Sequence, residues 1–495
     1  MRHIKNTVRS NCPMIALNAF VPWRPSEGED IHPHPSPVCE PVNLAATALP
    51  PLEYVLRNVE ARGLSTLQQE TIRRIMQSFD KRKTFLLGDA TGVGKGRTIA
   101  GMIAEIAAKE DEIRVAWISA NMRLEEDARR EIDSVKSRRG FDEGVRFSSY
   151  TALQVTTRVS EFVQWLSQVD SPVIVLDECH ALRNSKGVVA QIICNMIVQM
   201  RTTRPELRIL YSSATACSVA RHCEYLGPLG LFGTSESPFS SFSDLHNALK
   251  KHGPSLMELM AIDLRARGAY VARQLSCIDL SVEHRVINLN CEQKQIYNSC
   301  GNSLRVAGVL RGSSQQSFFQ RLITALKVDE TIRLAEHHVA SGSSVVISLL
   351  NTGEAVARRM SDANAVHFVG EEALDMYEAE YVDGLPENPL DRLVTHFGGA
   401  HIAELTGRRF RTDRRTGLRT RTPSLHEEVD AFQSGQKHVA VLSRAGGVGI
   451  SLHDSVDKRP RVHIILEIPW SAEDLIQQMG RAYRSNSHSP PTYIL

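Results

Sequence analysis

The chain has 495 residues, more than one ordinary core holds, and two to four domains are expected. Its 42% hydrophobic and 23% charged residues are those of a soluble globular protein, and no apolar run approaches the roughly 18 residues needed to cross a membrane. A formal net charge of +2 excludes a global basic field, so any nucleic-acid binding has to come from local patches.

Residues 1–26 carry Arg2, Lys5, Arg9 and Arg24 and no acid, a faint likeness to a transit peptide, but Pro13 and Pro22 interrupt any long helix there. The stretch VPWRPSEGEDIHPHPSPVCEP holds too much proline for regular helix or a central strand, so residues 1–55 are expected to form an extended arm. From about residue 60 short apolar runs alternate with helical patterns. TFLLGD (84–89), RVAWISA (114–120), PVIVLDE (172–178) and LRILYSSAT (207–215) read as strands buried on both faces. Between the first two, Ile99, Met102, Ile103, Ile106 and Ala107 share one helical stripe. Such alternation implies an α/β fold with a parallel sheet covered by helices.

Residues 235–340 are more helical, with Met257, Leu259, Met260 and Ile262 as core candidates; Arg265, Arg267 and Arg273 nearby could face phosphates or Asp263. The strand pattern restarts with SSVVISLL (343–350), KHVAVLS (437–443) and RVHIILEIP (461–469). Two α/β halves follow, 56–277 and 278–495, the second with an insertion at about 360–425. Within it RRFRTDRRTGLRTRT (408–422) carries seven arginines against the single acid Asp413. Arg408, Arg409, Arg411, Arg414 and Arg415 are candidates for phosphate contact; a solvated loop or a nuclear-import signal is the bland alternative. The nine cysteines form no C-x-x-C pair, and the nearest cluster, Cys217, His222 and Cys223, reads as small buried thiols of a reducing compartment.

GDATGVGKGRT (88–98) nearly matches the phosphate-loop pattern G-x-x-x-x-G-K-[ST], but Asp89 stands at the first glycine and Gly96 at the hydroxyl that binds Mg²⁺. A strand ends at Asp89 and a helix begins near Lys95, the context in which backbone N–H groups cradle phosphates. Gly92 and Gly94 permit close approach, and Lys95 would reach the β- and γ-phosphates. Thr98 lies about 200° round the helix from position 96 and cannot simply substitute. VIVLDECH (173–180) ends a strand in two acids, Asp177 to hold Mg²⁺ and Glu178 to orient the attacking water. SSAT (212–215) offers Ser213 and Thr215 to link those acids to another part of the machine. QQMGRAYR (477–484) would place Gln477, Gly480, Arg481 and Arg484 on one helix face, with Arg481 and Arg484 as arginine fingers. Before it, SRAGGVGISLHD (443–454) supplies a glycine-rich loop.

In this order these motifs resemble those of superfamily 2 helicases. LSTLQQETI (64–72) resembles their glutamine motif, which implies that Gln68 reads adenine and that ATP is the nucleotide. The longer stretches GDATGVGKGRTIAG, VIVLDECHALRN, YSSATACS, MELMAIDLRARGAYVARQLS, VVISLLNTGEA, AELTGRR, GISLHD and EIPWSAEDLIQQMGRAYRSN resemble the Strawberry notch family. So does the H-P-x-P rhythm of PHPSPVCEP, and the likeness runs from about residue 20 to the end. It implies two RecA-like parallel-sheet lobes in tandem, an ATP cleft between them, and a DECH-box ATPase. Its variant loop is Gly92, Val93, Gly94, Lys95, Gly96 and Arg97. His180, Ser213, Thr215 and Gln477 would couple nucleotide to nucleic acid, though His180 could also just cap its strand. A nucleic-acid-stimulated motor with Mg²⁺ is implied, with DNA favoured over RNA and transcription or chromatin proteins as partners. Its place would be the nucleus in a eukaryote and otherwise the cytoplasm. The alternative is an ATP-binding scaffold with little turnover, suggested by Gly96 and by a chain that stops at PPTYIL, where family members usually continue.

Overall fold

The computed structural model describes residues 20–22, 39–44, 49–57, 63–135, 141–217, 219–277, 280–306, 313–350, 385–408, 410–412, 419–443, 450–454, 456–484 and 487–495. The chain separates into two compact units, one built on Cys39–Ser276 and one on Cys277–Leu495.

The strands of the first unit are β1 (Phe20–Pro22), β2 (Cys39–Leu44), β3 (Thr84–Leu87), β4 (Val115–Ser119), β5 (Val145–Ser149), β6 (Val173–Asp177), β7 (Arg208–Ser212), β8 (Tyr270–Val271) and β9 (Arg273–Cys277). Six of them form a parallel sheet in the order β5-β4-β6-β7-β3-β8. Successive residues of each strand enter opposite cores. Ile174 and Leu176 of β6 join one cluster with Ala116 and Ile118, while Val173 and Val175 join the other with Val115 and Trp117. This two-sided burial is why these strands read as unbroken apolar runs. The helices α1 (Thr66–Arg82) and α2 (Lys95–Lys109) pack on the second core, with Ile99, Met102, Ile103, Ile106 and Ala107 all buried as expected.

The proline-rich arm departs from expectation. β1 and β2 pair antiparallel and form a three-stranded sheet with β9. Pro41 lies outside the β1–β2 register, which runs from Val42 to Leu44, and Pro22 stands at the end of its strand, opposite Val42. Residues 49–57 then lie as a strap across both helices. Tyr54 OH and the Arg57 N–H donate to the buried Glu105 carboxylate at 2.9 and 2.8 Å, and Arg73 Nε donates to the Tyr54 carbonyl at 2.7 Å.

The second unit carries β10 (Ser281–Glu283), β11 (Ser344–Leu349), β12 (Ile402–Leu405), β13 (Phe410–Thr412), β14 (Arg419–Arg421), β15 (Val439–Ser443), β16 (Arg461–Ile465) and β17 (Thr492–Ile494). Its parallel sheet runs β10-β17-β16-β11-β15-β12, again alternating between two cores. The two parallel sheets are the tandem RecA-like lobes that the motif order implies. The helical stretch is present too, but Leu259 is 60% exposed and Leu264 takes the buried position. No described helix is long and apolar enough to cross a membrane.

Candidate functional site

The strand register sets a row at the C-terminal edge of the first sheet. Leu87 pairs with Ser212, Ser212 with Asp177, and Ser119 follows the pair Ile118–Leu176. Ser119 Oγ therefore donates to Asp177 Oδ2 at 2.9 Å and Ser212 Oγ to Oδ1 at 3.1 Å. The Tyr150 hydroxyl holds the Asp177 carbonyl at 2.9 Å. Burial, and then the neighbouring Glu178 charge, push the Asp177 carboxyl up to about 6, against the pull of the two hydroxyls and Lys95. Sequence reasoning passed over Ser119, Ser212 and Tyr150. Only their place at strand ends next to the acids marks them.

Glu178 turns the chain sharply. Its φ of 49° and ψ of 44° lie in the left-handed region, uncommon for a non-glycine residue, and a short helical turn, Cys179–Leu182, starts directly after it. That turn presents His180 to both acid and hydroxyl. His180 Nδ1 lies 3.2 Å from Glu178 Oε2 and 3.1 Å from Ser213 Oγ, and Ser213 Oγ accepts from the Thr215 N–H at 3.2 Å. Cys179 faces the interior, 3.4 Å from the Tyr225 hydroxyl, which donates to the Ala216 carbonyl at 2.7 Å. The segments after β6 and β7 are thus linked twice.

The loop between β3 and α2 turns on Gly92 (φ +92°) and Gly94 (φ +97°). Gly94 is the residue before α2 and has no side chain to cap it, so the first N–H groups of that helix are left to a ligand. Lys95 Nζ donates to the Asp89 carbonyl at 3.0 Å, across the loop's mouth. Thr98 is fully buried and donates back to the Gly94 carbonyl at 3.2 Å, so it supplies no metal ligand in place of Gly96. Val93 packs on Leu67 of α1. Gln68 completes a capping box with Ser65 and donates from Nε2 to the Gly94 carbonyl at 3.4 Å. Both ends of its amide thus engage the protein, a role the adenine reading did not anticipate. Arg97 turns to Glu131 at 2.8 Å and to the Gly63 carbonyl at 3.4 Å, a partner set that argues against phosphate contact.

In the second unit the helix Ala472–Met479 carries Gln477 but ends before Gly480. Arg481 and Arg484 therefore leave from the turn after it, a correction to the shared helix face. Arg481 Nη1 lies 3.4 Å from the Ile450 carbonyl, and Arg484 Nε donates to Ser451 Oγ at 3.1 Å. The buried Arg461 braces the same segment through the Leu452 and His453 carbonyls at 2.8 and 3.1 Å. Asp454 ties it to the His488 and Ser489 N–H groups, both at 2.7 Å. Residues 444–449 of the glycine loop lie outside the described residues.

Arg408 corrects another expectation. It is no exposed phosphate ligand: its guanidinium sits on Glu404 at 2.9 Å and on Asp391, with its side chain only 10% exposed. β13 and β14 form a hairpin with Arg411 opposite Thr420, while Arg409, Arg414, Arg415 and the side chain of Arg411 lie outside the described residues. Cys217 and Cys223 are joined in a disulfide, not held as separate thiols. Among the described residues no group of three or more His, Cys, Asp or Glu could hold a metal ion.

A family model described as P-loop containing NTP hydrolase pore-1 matches residues 33–299, and one described as the C-terminal domain on Strawberry notch homologue matches 388–495. Protein strawberry notch homolog 2 of Mus musculus is 27% identical over 96% of this chain and 48% of its own length. Protein FORGETTER 1 of Arabidopsis thaliana is 26% identical over 97% of this chain and 55% of its own. The chain thus spans about half the length of the curated relatives it matches. The crystal structure of DUF1998 helicase MrfA bound to DNA is similar at a TM-score of 0.48 and 14% identity, over 91% of this chain and 52% of that one.

Proposed function

The chain belongs to the Strawberry notch family of helicase-like P-loop NTPases, and we propose that it is an ATP-driven motor that moves on DNA. The observation that carries this reading is the link from Glu178 through His180 to Ser213 and Thr215. A protein that only bound nucleotide would need the phosphate loop but no connection from its water-orienting acid to the end of the next strand.

In the proposed reaction the water oxygen bonds to the γ-phosphorus while the bond to the β,γ-bridging oxygen breaks. The N–H groups at the start of α2 receive the phosphates, and Lys95 meets the charge that grows on the departing oxygen. Glu178 orients the water. Asp177 fits a divalent cation, because its two hydroxyl donors fix both carboxylate oxygens at the open edge of the sheet. Mg²⁺ held there would neutralise the β- and γ-phosphate oxygens. Arg481 and Arg484 are the proposed fingers for the γ-phosphate, with Gln477 beside them as a coupling residue. Arg409, Arg411, Arg414 and Arg415 are the proposed contacts to the nucleic-acid backbone, with DNA preferred to RNA and transcription or chromatin proteins as partners.

Displacement of the third strand from a DNA triplex tests the motor directly. Displacement that needs ATP and disappears in Lys95→Ala is expected. ATP-dependent binding without displacement would leave the scaffold reading, which the missing hydroxyl at Gly96 favours.

A further inference from the structure

An acid at the mouth of a phosphate loop should repel the ligand. Asp89 does not lie free there: it is fully buried, and its carboxylate is held by Arg273, itself only 2% exposed. Arg273 Nε and its backbone N–H both donate to Asp89 Oδ1 at 3.0 Å, and Nη2 donates to Oδ2 at 2.5 Å. The same guanidinium reaches α1, where Nη1 donates to the Leu67 carbonyl at 2.9 Å and Nη2 to Thr71 Oγ1. Its carbonyl in turn accepts from the Ala90 N–H at 2.8 Å. One residue on β9 therefore binds the first turn of the loop through both backbone and side chain, and fastens it to the glutamine-motif helix.

The far end of the loop meets the same helix, through Val93 on Leu67 and Gln68 on the Gly94 carbonyl. Gly94 leaves no space for more: a Cβ there would lie 2.5 Å from Gln68 Nε2. We propose that Arg273 is a positioning residue for nucleotide binding, holding Asp89 in place of the usual first glycine so that α1 grips both ends of the loop and sets its phosphate-binding shape before the nucleotide arrives. The proposal rests on the nucleotide-site reading above. It assigns a role to MELMAIDLRARGAYVARQLS, whose Arg267 pairs instead with Asp263. Arginine is required because a planar fork can reach the carboxylate, a carbonyl and a hydroxyl at once, whereas a lysine ammonium has the charge without the fork.

The test uses the full chain and a fluorescent ATP analogue, with Arg273→Lys, Arg273→Gln and the neutral double variant Asp89→Asn/Arg273→Gln. Circular dichroism and melting are read on the same samples. Arg273→Gln, assayed well below its melting temperature, is expected to bind the analogue at least tenfold more weakly, and Arg273→Lys to recover part of the loss. In steady state the KM for ATP should rise about tenfold while kcat changes less than threefold, because Lys95, Asp177 and Glu178 are untouched. A purely structural arginine would lower melting without that split. Folded variants with near wild-type nucleotide affinity would overturn the proposal, and so would failure of all three to fold, since the pair would then serve the fold alone. A wild-type chain that binds no nucleotide would overturn the functional reading, and this proposal with it.

Discussion

Asp177 shows how a single residue trades stability for chemistry. Its carboxyl is raised from 3.8 to about 6, so the folded chain holds that proton more tightly than the unfolded chain does. The stability it contributes is present below about pH 4 and is lost as pH rises through about 6. At neutral pH the fold carries a charge that burial disfavours. Asp177→Asn should therefore raise the stability of the chain near pH 7.5 by about 1–3 kcal/mol, with little change near pH 3, where the carboxyl is protonated in the folded and the unfolded chain alike. Urea unfolding at the two pH values reads this. Equal shifts at both would mean that the aspartate is not strained by its charge. Gly96 makes the opposite exchange. A Cβ there would meet only Glu131 Cγ at 3.7 Å, ordinary contact, so Gly96→Thr fits the backbone. It should increase Mg²⁺ affinity or turnover severalfold in a Mg²⁺ titration of ATPase rate; no rise in either would mean that the missing hydroxyl never limited the site. At this scale the places of Lys95, Asp177, Glu178 and His180 at or just beyond the ends of buried strands were legible, because an unbroken apolar run leads into each motif. Ser119 and Ser212 were not, nor was Asp89 as the partner of Arg273. A serine at a strand end or an arginine 184 positions from its acid leaves no local signal.

The strands that the sequence revealed are those with both faces buried. β5 and β12 escaped notice because VRFSS and IAEL dilute the apolar run with charge and hydroxyl. The motif around Gln477 misled for a related reason. Helical spacing persists in QQMGRAYR after the α-helix ends at Met479 and the backbone tightens into turns, with Arg481 N–H donating to the Gln478 carbonyl and Ala482 N–H to that of Met479. The basic stretch divides by element as well. Arg408 belongs to the lobe's frame, and Arg408→Ala would take from the buried Glu404 and the half-buried Asp391 the charge they share. A loss of about 3–5 kcal/mol in denaturant unfolding is expected. Arg414→Ala and Arg415→Ala should leave stability unchanged but weaken DNA binding, each lowering the slope of log K against log salt by about 1. A salt slope that neither changes would remove the insertion from the nucleic-acid contacts.

At the scale of the whole chain, the order of motifs was more informative than any one of them. An irregular phosphate loop could be an accident, but a loop, an acid pair, a hydroxyl triplet and an arginine motif, each following a buried strand, require two parallel sheets. The two compact units carry them. The arm was the least legible part, since its strands depend on a partner, β9, more than 200 residues away in sequence. Under the proposed function, nucleotide hydrolysis at Lys95, Asp177 and Glu178 is driven by nucleic acid. The most direct measurement is phosphate release from ATP by the purified chain, alone and with single-stranded DNA, duplex DNA or RNA, beside Lys95→Ala. Release that rises severalfold with duplex DNA and vanishes in the variant is predicted. Tight ATP binding with no release on any nucleic acid would contradict it.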